Sequence, residues 1–233
     1  MLPSMGEMIE FKGRADRLTA GYLATPAAGV GPSVVVIQEW WGLNGQIKGV
    51  CDRLADAGFT ALAPDLYDGR VVPNHEPDEA AKQMMALQLD EAAADLSGAV
   101  DELLERSSTS SVGVIGFCMG GGLALVLGAR RADVVKAVIP CYGVHPWPEA
   151  HPDYGDYHAA TQIHTAGQDA SFTPEAARDL EKTLSDLGRS VELYIYPDSQ
   201  HAFFNEDRPE VYDPAASSRL WERSTAFLKA QLA

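Results

Sequence analysis

Apolar positions along the chain fall into two alternating patterns. Runs of β-formers occupy Ser33–Gln38, Phe59–Ala63, Val112–Ile115, Val135–Ile139, Gln162–Thr165 and Val191–Tyr196. Several are apolar throughout instead of at every second residue, as strands buried on both faces require. Between them the spacing changes to a helical period. Ile47, Val50, Cys51, Leu54 and Ala57 form one stripe, stopped by Gly58. Ala93, Leu96, Val100, Leu103 and Leu104 form another, with Asp95, Asp101, Glu102 and Glu105 off it. Thr173–Pro174 and Asp213–Pro214 read as N-cap and first-turn pairs for two later helices. The first of these uses Ala177, Leu180, Leu184 and Leu187 and ends at Gly188. A weaker signal suggests a hairpin over Met8–Lys12 and Thr19–Ala24. The alternation predicts an α/β fold, with a mostly parallel central sheet and helices on both faces. The stretch Tyr67–Leu89 breaks the pattern with Gly69, Pro73 and Pro77, and is either a cap over a site or a long connection.

Composition narrows the functional classes. A length of 233 residues suits one domain spanning 1–233, and 46% hydrophobic residues suffice for a full core. The formal charge of −15 argues against nucleic acid or an anionic membrane surface as partner. No apolar run reaches the ~18 residues that span a bilayer. The first residues lack the basic start and apolar stretch of a secretory signal. Three cysteines, Cys51, Cys118 and Cys141, contain no CxxC, which points away from a disulfide framework or a zinc site. A reducing, cytoplasmic setting is the expectation, with a monomer or weak homodimer.

The sharpest local feature is Gly113-Val114-Ile115-Gly116-Phe117-Cys118-Met119-Gly120-Gly121-Gly122-Leu123, where an apolar strand runs into a glycine turn and then a helical segment, Leu123–Arg130. This is the nucleophile-elbow pattern with cysteine in the serine position. Glycines two before and two after the nucleophile let strand and helix approach at a strained turn. The helix N-terminus favours a thiolate at Cys118, and the Met119 N–H would bind an oxyanion. The competing readings are a buried structural cysteine and a phosphate-binding loop. The latter lacks the Lys-Ser/Thr that should follow.

A cysteine nucleophile requires a base, and the base an orienting acid. Asp169 follows the strand Gln162–Thr165, and His201 follows Val191–Tyr196, in the order nucleophile, acid, histidine that the elbow fold uses. Asp169 alone is an ordinary turn aspartate; the three residues, each beyond its own strand, are the stronger signal. His75, His145, His151 and His158 lie in loop-like stretches. His164 sits inside a strand and reads as a satisfied core histidine. Cys51 reads as core, and Cys141 as packing near a strand end.

These residues resemble the dienelactone hydrolase family, carboxymethylenebutenolidase-like proteins of the α/β-hydrolase superfamily, over nearly the whole chain. The likeness rests on Val36-Ile37-Gln38-Glu39-Trp40-Trp41-Gly42-Leu43-Asn44, Ala61-Leu62-Ala63-Pro64-Asp65-Leu66-Tyr67, Gly116-Phe117-Cys118-Met119-Gly120-Gly121, Gly167-Gln168-Asp169 and His201-Ala202-Phe203. It implies a Cys-His-Asp triad without metal or organic cofactor, acting on a small ester or lactone through a thioacyl intermediate. It also implies a carboxylate, Glu39, near the resting thiol; like charges there disfavour a thiolate, and the resemblance implies a guarded nucleophile, whose glutamate is displaced by substrate and then helps deprotonate the cysteine. The Trp40 N–H would complete the oxyanion hole with that of Met119. The chain departs from the family where an arginine that binds a substrate carboxylate would stand, four residues after the histidine; here it is Asn205. Arg208 is a candidate substitute from the same loop, and Tyr67–Leu89 offers no second arginine beyond Arg70. Trp41, Phe204 and Asn205 join Arg208 as substrate-binding candidates. Two readings stand beside the lactone hydrolase: a broad esterase or thioesterase, and a low-turnover ligand-binding protein on the same scaffold.

Overall fold

The computed structural model describes residues 6–14, 17–143 and 151–233. Its centre is an eight-stranded sheet in the order β1-β2-β4-β3-β5-β6-β7-β8. The strands are β1 (Glu7–Lys12), β2 (Leu18–Ala24), β3 (Ser33–Ile37), β4 (Thr60–Pro64), β5 (Val112–Phe117), β6 (Val135–Cys141), β7 (Ala160–Ala166) and β8 (Val191–Tyr196). The first two form the expected hairpin, and β2 lies antiparallel to β4. All other neighbours are parallel. The helices are α1 (Gly45–Asp56), α2 (Pro77–Ala86), α3 (Leu89–Arg106), α4 (Met119–Arg130), α5 (Pro174–Asp186) and α6 (Pro214–Gln231).

Two cores flank the sheet, and strand alternation feeds both. Val34, Val36, Ile115 and Phe117 face α1 and α6, while Val35, Ile37, Val112 and Val114 face α3, α4 and Leu184 of α5. The strands β3 and β5 therefore show apolar side chains on both faces, which explains their unbroken hydrophobic runs. The caps are where the sequence places them. Thr173 accepts from the Ala176 N–H, and Asp213 accepts from those of Ala215 and Ala216. Gly58 and Gly188, at φ 99° and 71°, end their helices in the left-handed region. None of the helices is long and apolar enough to cross a membrane, among the described residues.

Tyr67–Leu89 contains α2, whose Ala80 packs with Trp41 and Val72 in a small satellite core. Arg70 is half-exposed and paired with Glu79. Chain order reverses between β3 and β5. The crevice at the C-terminal ends of these strands is where ligands bind in open α/β sheets.

His164 is fully buried on β7, with Nδ1 2.9 Å from the Tyr196 hydroxyl and Nε2 2.9 Å from Gln162 Oε1. Burial, and secondarily Arg223, lowers its pKa from 6.5 to about 3. Below pH ~6.5 the unfolded chain takes up a proton that the native state refuses, so this contribution to stability is complete above that pH and is lost as pH falls toward 3. Urea denaturation is expected to show stability falling more steeply between about pH 6 and pH 4 in the native sequence than in His164→Gln. The difference in slope reaches up to about 1.4 kcal/mol per pH unit. Equal slopes would contradict a buried neutral histidine.

Candidate active site

The strand β5 ends at Phe117, and Cys118 caps α4 with φ 53° and ψ −118°. A non-glycine residue in this region is strained by ~1–3 kcal/mol and persists only where its surroundings hold it. Here the Cys118 N–H donates to the Cys141 carbonyl at 3.0 Å, and the Gly121 N–H donates to the Cys118 carbonyl at 2.9 Å. The helix begins at Met119, four residues before the expected Leu123. At two of its three glycines, Gly120 and Gly121, crowding leaves no room for a side chain. A Cβ at Gly120 would lie 2.5 Å from the carbonyl oxygens of both Ile37 and Gln38, and one at Gly116 2.0 Å from the Gly120 oxygen. As the first residue of α4, Met119 presents one of the backbone N–H groups that have no partner within a helix.

The acid and the base are held by interlocked loops. The Gly167 N–H bonds the Tyr196 carbonyl at 2.7 Å, and the Gln168 N–H bonds that of Ser199 at 3.0 Å, tying the loop after β7 to the loop after β8. Asp169 Oδ1 accepts from the N–H groups of Ser171 and Phe172, at 2.7 and 2.9 Å. Its Oδ2 lies 2.7 Å from His201 Nδ1, and His201 Nε2 lies 3.2 Å from Cys118 Sγ. The structure thus brings the three sequence-derived residues into one continuous chain. Burial opposes a charged imidazole, but the hydrogen bonds to Asp169 and Cys118 outweigh it and raise His201 to about 10. The arrangement favours a proton on the ring.

Glu39, just past β3, is buried at 2% exposure. Both carboxylate oxygens have neutral donors: the Tyr142 hydroxyl at 3.2 Å on Oε1, and Asn205 Nδ2 at 2.7 Å on Oε2. Burial raises its pKa, against the opposing pull of Asn205, His201, Tyr142 and Arg208. The thiol therefore pairs with the imidazole in this conformation, while the expected neighbouring carboxylate sits on Tyr142 and Asn205.

The substrate-binding candidates fare unevenly. Phe204 is 2% exposed and stacks on Phe117 at 5.3 Å, with the Arg53 guanidinium 4.8 Å from its ring, so it is part of the core. Trp41 is likewise buried, in the satellite core, with half-buried Trp40 edge-on at 5.2 Å. Asn205 is fully buried and spends its amide on Glu39. These three pack or position, contrary to the expectation of substrate contact. Arg208 is partly exposed, bonds Glu210 at 2.9 Å and lies over the Trp41 ring at 5.8 Å. Cys51 and Cys141 are buried core thiols, and burial raises both pKa values. Among the other histidines, His145 lies outside the described residues.

Tyr142 was missed. It follows β6 with φ 37°, is fully buried, and sets its ring edge-on to His201 at 5.3 Å. The available signal was a tyrosine immediately beyond a strand, in Cys141-Tyr142-Gly143. Cavity size was no guide: a cavity of about 830 Å³ opens between β1 and α3, away from all these groups.

The family model described as the dienelactone hydrolase family matches residues 19–232. Protein usf of Aquifex pyrophilus is 36% identical, the match covering 98% of this chain and 100% of the relative. A provisionally named carboxymethylenebutenolidase of Aquifex aeolicus is 35% identical, with the same coverage. Among solved structures, a provisionally assigned dienelactone hydrolase of Klebsiella pneumoniae superimposes with a TM-score of 0.83 at 24% identity, covering 96% of this chain and 99% of that one. At that identity the likeness speaks for the fold, which is that of the α/β hydrolases.

Gly120→Ala is expected to cost at least ~1–3 kcal/mol in urea denaturation, because its Cβ would meet rigid backbone. Gly45→Ala, where nothing lies within 4 Å, should be neutral or stabilising. Equal behaviour of the two variants would refute the close-approach account of the elbow.

Proposed function

The chain belongs to the dienelactone hydrolase family and is a hydrolase of lactones and esters, and from that premise we propose that Cys118 is its nucleophile, with His201 as base and Asp169 as the group that orients the base. One observation carries this reading: the unbroken path from Cys118 Sγ through the imidazole to Asp169, at 3.2 and 2.7 Å.

In the proposed reaction the Cys118 thiolate attacks the carbonyl carbon, a C–S bond forms, and the carbonyl π electrons move to oxygen. The N–H groups of Met119 and Trp40 bind that oxyanion. Collapse breaks the acyl C–O bond, and the departing alkoxide takes the proton from His201. In a lactone this alkoxide stays tethered to the acyl group. His201 then takes a proton from water, hydroxide adds to the thioester, and the C–S bond breaks to regenerate the sulfur and release the acid.

The substrate is a small ester or lactone, in keeping with the carboxymethylenebutenolidase name of the Aquifex aeolicus relative. Arg208 is the group proposed to meet a substrate carboxylate, exchanging Glu210 for it. The triad's completeness favours turnover over the low-turnover binder. The broad esterase or thioesterase differs from the main reading only in substrate range.

Cys118→Ala should lower turnover of lactones and aryl esters by roughly 10⁴-fold or more. Mass spectrometry of the native chain, acid-quenched during turnover, should find the acyl group on Cys118. Retained activity, or no adduct, would sink the mechanism. Across a panel of lactones, Arg208→Ala should raise KM only for those bearing a free carboxylate; an equal effect on neutral lactones would remove Arg208 from substrate recognition.

A further inference from the structure

We infer that Tyr142 is a positioning residue that, through its hydroxyl on Glu39 and its ring against His201, holds the glutamate aside so that the Cys118 thiol pairs with the base. The inference rests on the proposed role of Cys118 as nucleophile and extends it to a residue beyond the triad.

Tyr142 touches each part of the site. Its backbone follows Cys141, whose carbonyl holds the Cys118 N–H, and its own N–H donates to the His164 carbonyl at 2.6 Å. Two strands thus clamp a backbone at φ 37° that few residues with a Cβ adopt. The ring meets His201 and Phe203 edge-on, at 5.3 and 5.5 Å. The hydroxyl donates to Glu39 Oε1, while Asn205 takes Oε2. A buried carboxylate must be hydrogen-bonded, and these two donors meet that need without the thiol.

Removing the hydroxyl leaves Oε1 in search of a donor. The ionisable groups that bear on Glu39 are His201 and Arg208 of the loop after β8, Cys141 at the end of β6, and Tyr142 itself. Arg208 is engaged by Glu210, and Cys141 points its thiol toward the Ile139 carbonyl. On the thiol's side, Tyr67 and Tyr142 carry hydroxyls that interact with Cys118, and Tyr67 donates to Met119 Sδ. Of the groups that bear on Glu39, the His201 ring is the donor left, and it is the partner of the Cys118 thiol. Its turning to Glu39 takes away the base of the sulfur.

The test is the pH dependence of Cys118 alkylation by iodoacetamide, followed by mass spectrometry on the full chain. Tyr142→Phe keeps the ring contacts and loses the hydroxyl. It should raise the alkylation midpoint by about one pH unit, so that alkylation at pH below the midpoint is roughly tenfold slower. Asn205→Ala, which removes the other donor, should move it in the same direction. In a Glu39→Gln background, Tyr142→Phe should have no effect on the midpoint. An unmoved midpoint in the single variant, or the same shift in the Glu39→Gln background, overturns the proposal. The readout is a property of the thiol and needs no turnover. The Cys118→Ala assay therefore tests the nucleophile assignment separately.

Discussion

The left-handed backbone at Cys118 is the constraint on which the site depends. A φ of 53° turns the chain from β5 into α4 within one residue. That turn lifts Sγ above the C-terminal edge of the sheet and brings a helix N-terminus behind it. Strain of this kind is stable only if the surroundings permit no alternative. Here the surroundings are backbone: the Ile37 and Gln38 carbonyls against Gly120, the Gly120 carbonyl against Gly116, and the Cys141 carbonyl on the Cys118 N–H. The glycines therefore serve the cysteine. They let three strand ends and a helix converge so closely that the Cys118 side chain has one direction in which to point.

The same edge of the sheet holds two buried carboxylates with different surroundings. Asp169 accepts two backbone N–H groups and the imidazole, so its second oxygen faces the group that carries positive charge. Glu39 accepts an amide and a phenol, both neutral. Burial opposes ionisation of Glu39, whose hydrogen-bond donors are neutral. On the proposed reading, the two acids keep separate roles because Tyr142 and Asn205 hold Glu39.

What was legible in the sequence is what depends on local chemistry. Continuous apolar runs gave the parallel strands, and Thr173–Pro174 and Asp213–Pro214 gave two helix starts, because capping is a property of adjacent residues. Cys118, Asp169 and His201 were legible as residues beyond strand ends, since strand order alone brings such positions together. The start of α4 was misplaced at Leu123 because Gly120-Gly121-Gly122 has poor helix propensity. Close packing against β3 and Gly143 overrides that propensity, and no neighbouring residue announces it. Phe204, Trp41 and Asn205 were misread for a related reason. Nothing in the local sequence says whether a large side chain beyond a strand faces a pocket or the core. Tyr142 went unread because its importance lies in partners 103 residues away, at Glu39, and beyond β8, at His201.

The aromatic packing explains why those misreadings matter for specificity. Trp221 and Phe204 hold the Arg53 guanidinium between them, each 4.8 Å from it, and Phe204 rests on Phe117 beside the nucleophile. This stack fixes the loop after His201 to α1, α6 and the end of β5. A loop so anchored delivers Asn205 to Glu39 as a rigid part, and Phe204 cannot leave without exposing the elbow's own core. On the proposed reading, substrate discrimination falls on side chains near this stack that keep some surface. Trp40 is half-buried there, and Arg208 is partly exposed over the Trp41 ring. An aromatic face beside one guanidinium that is itself engaged by Glu210 suits a small, flat acyl group. On the proposed reading a substrate carboxylate exchanges for Glu210 in a partly exposed ion pair, a replacement that costs little because such pairs are weakly held.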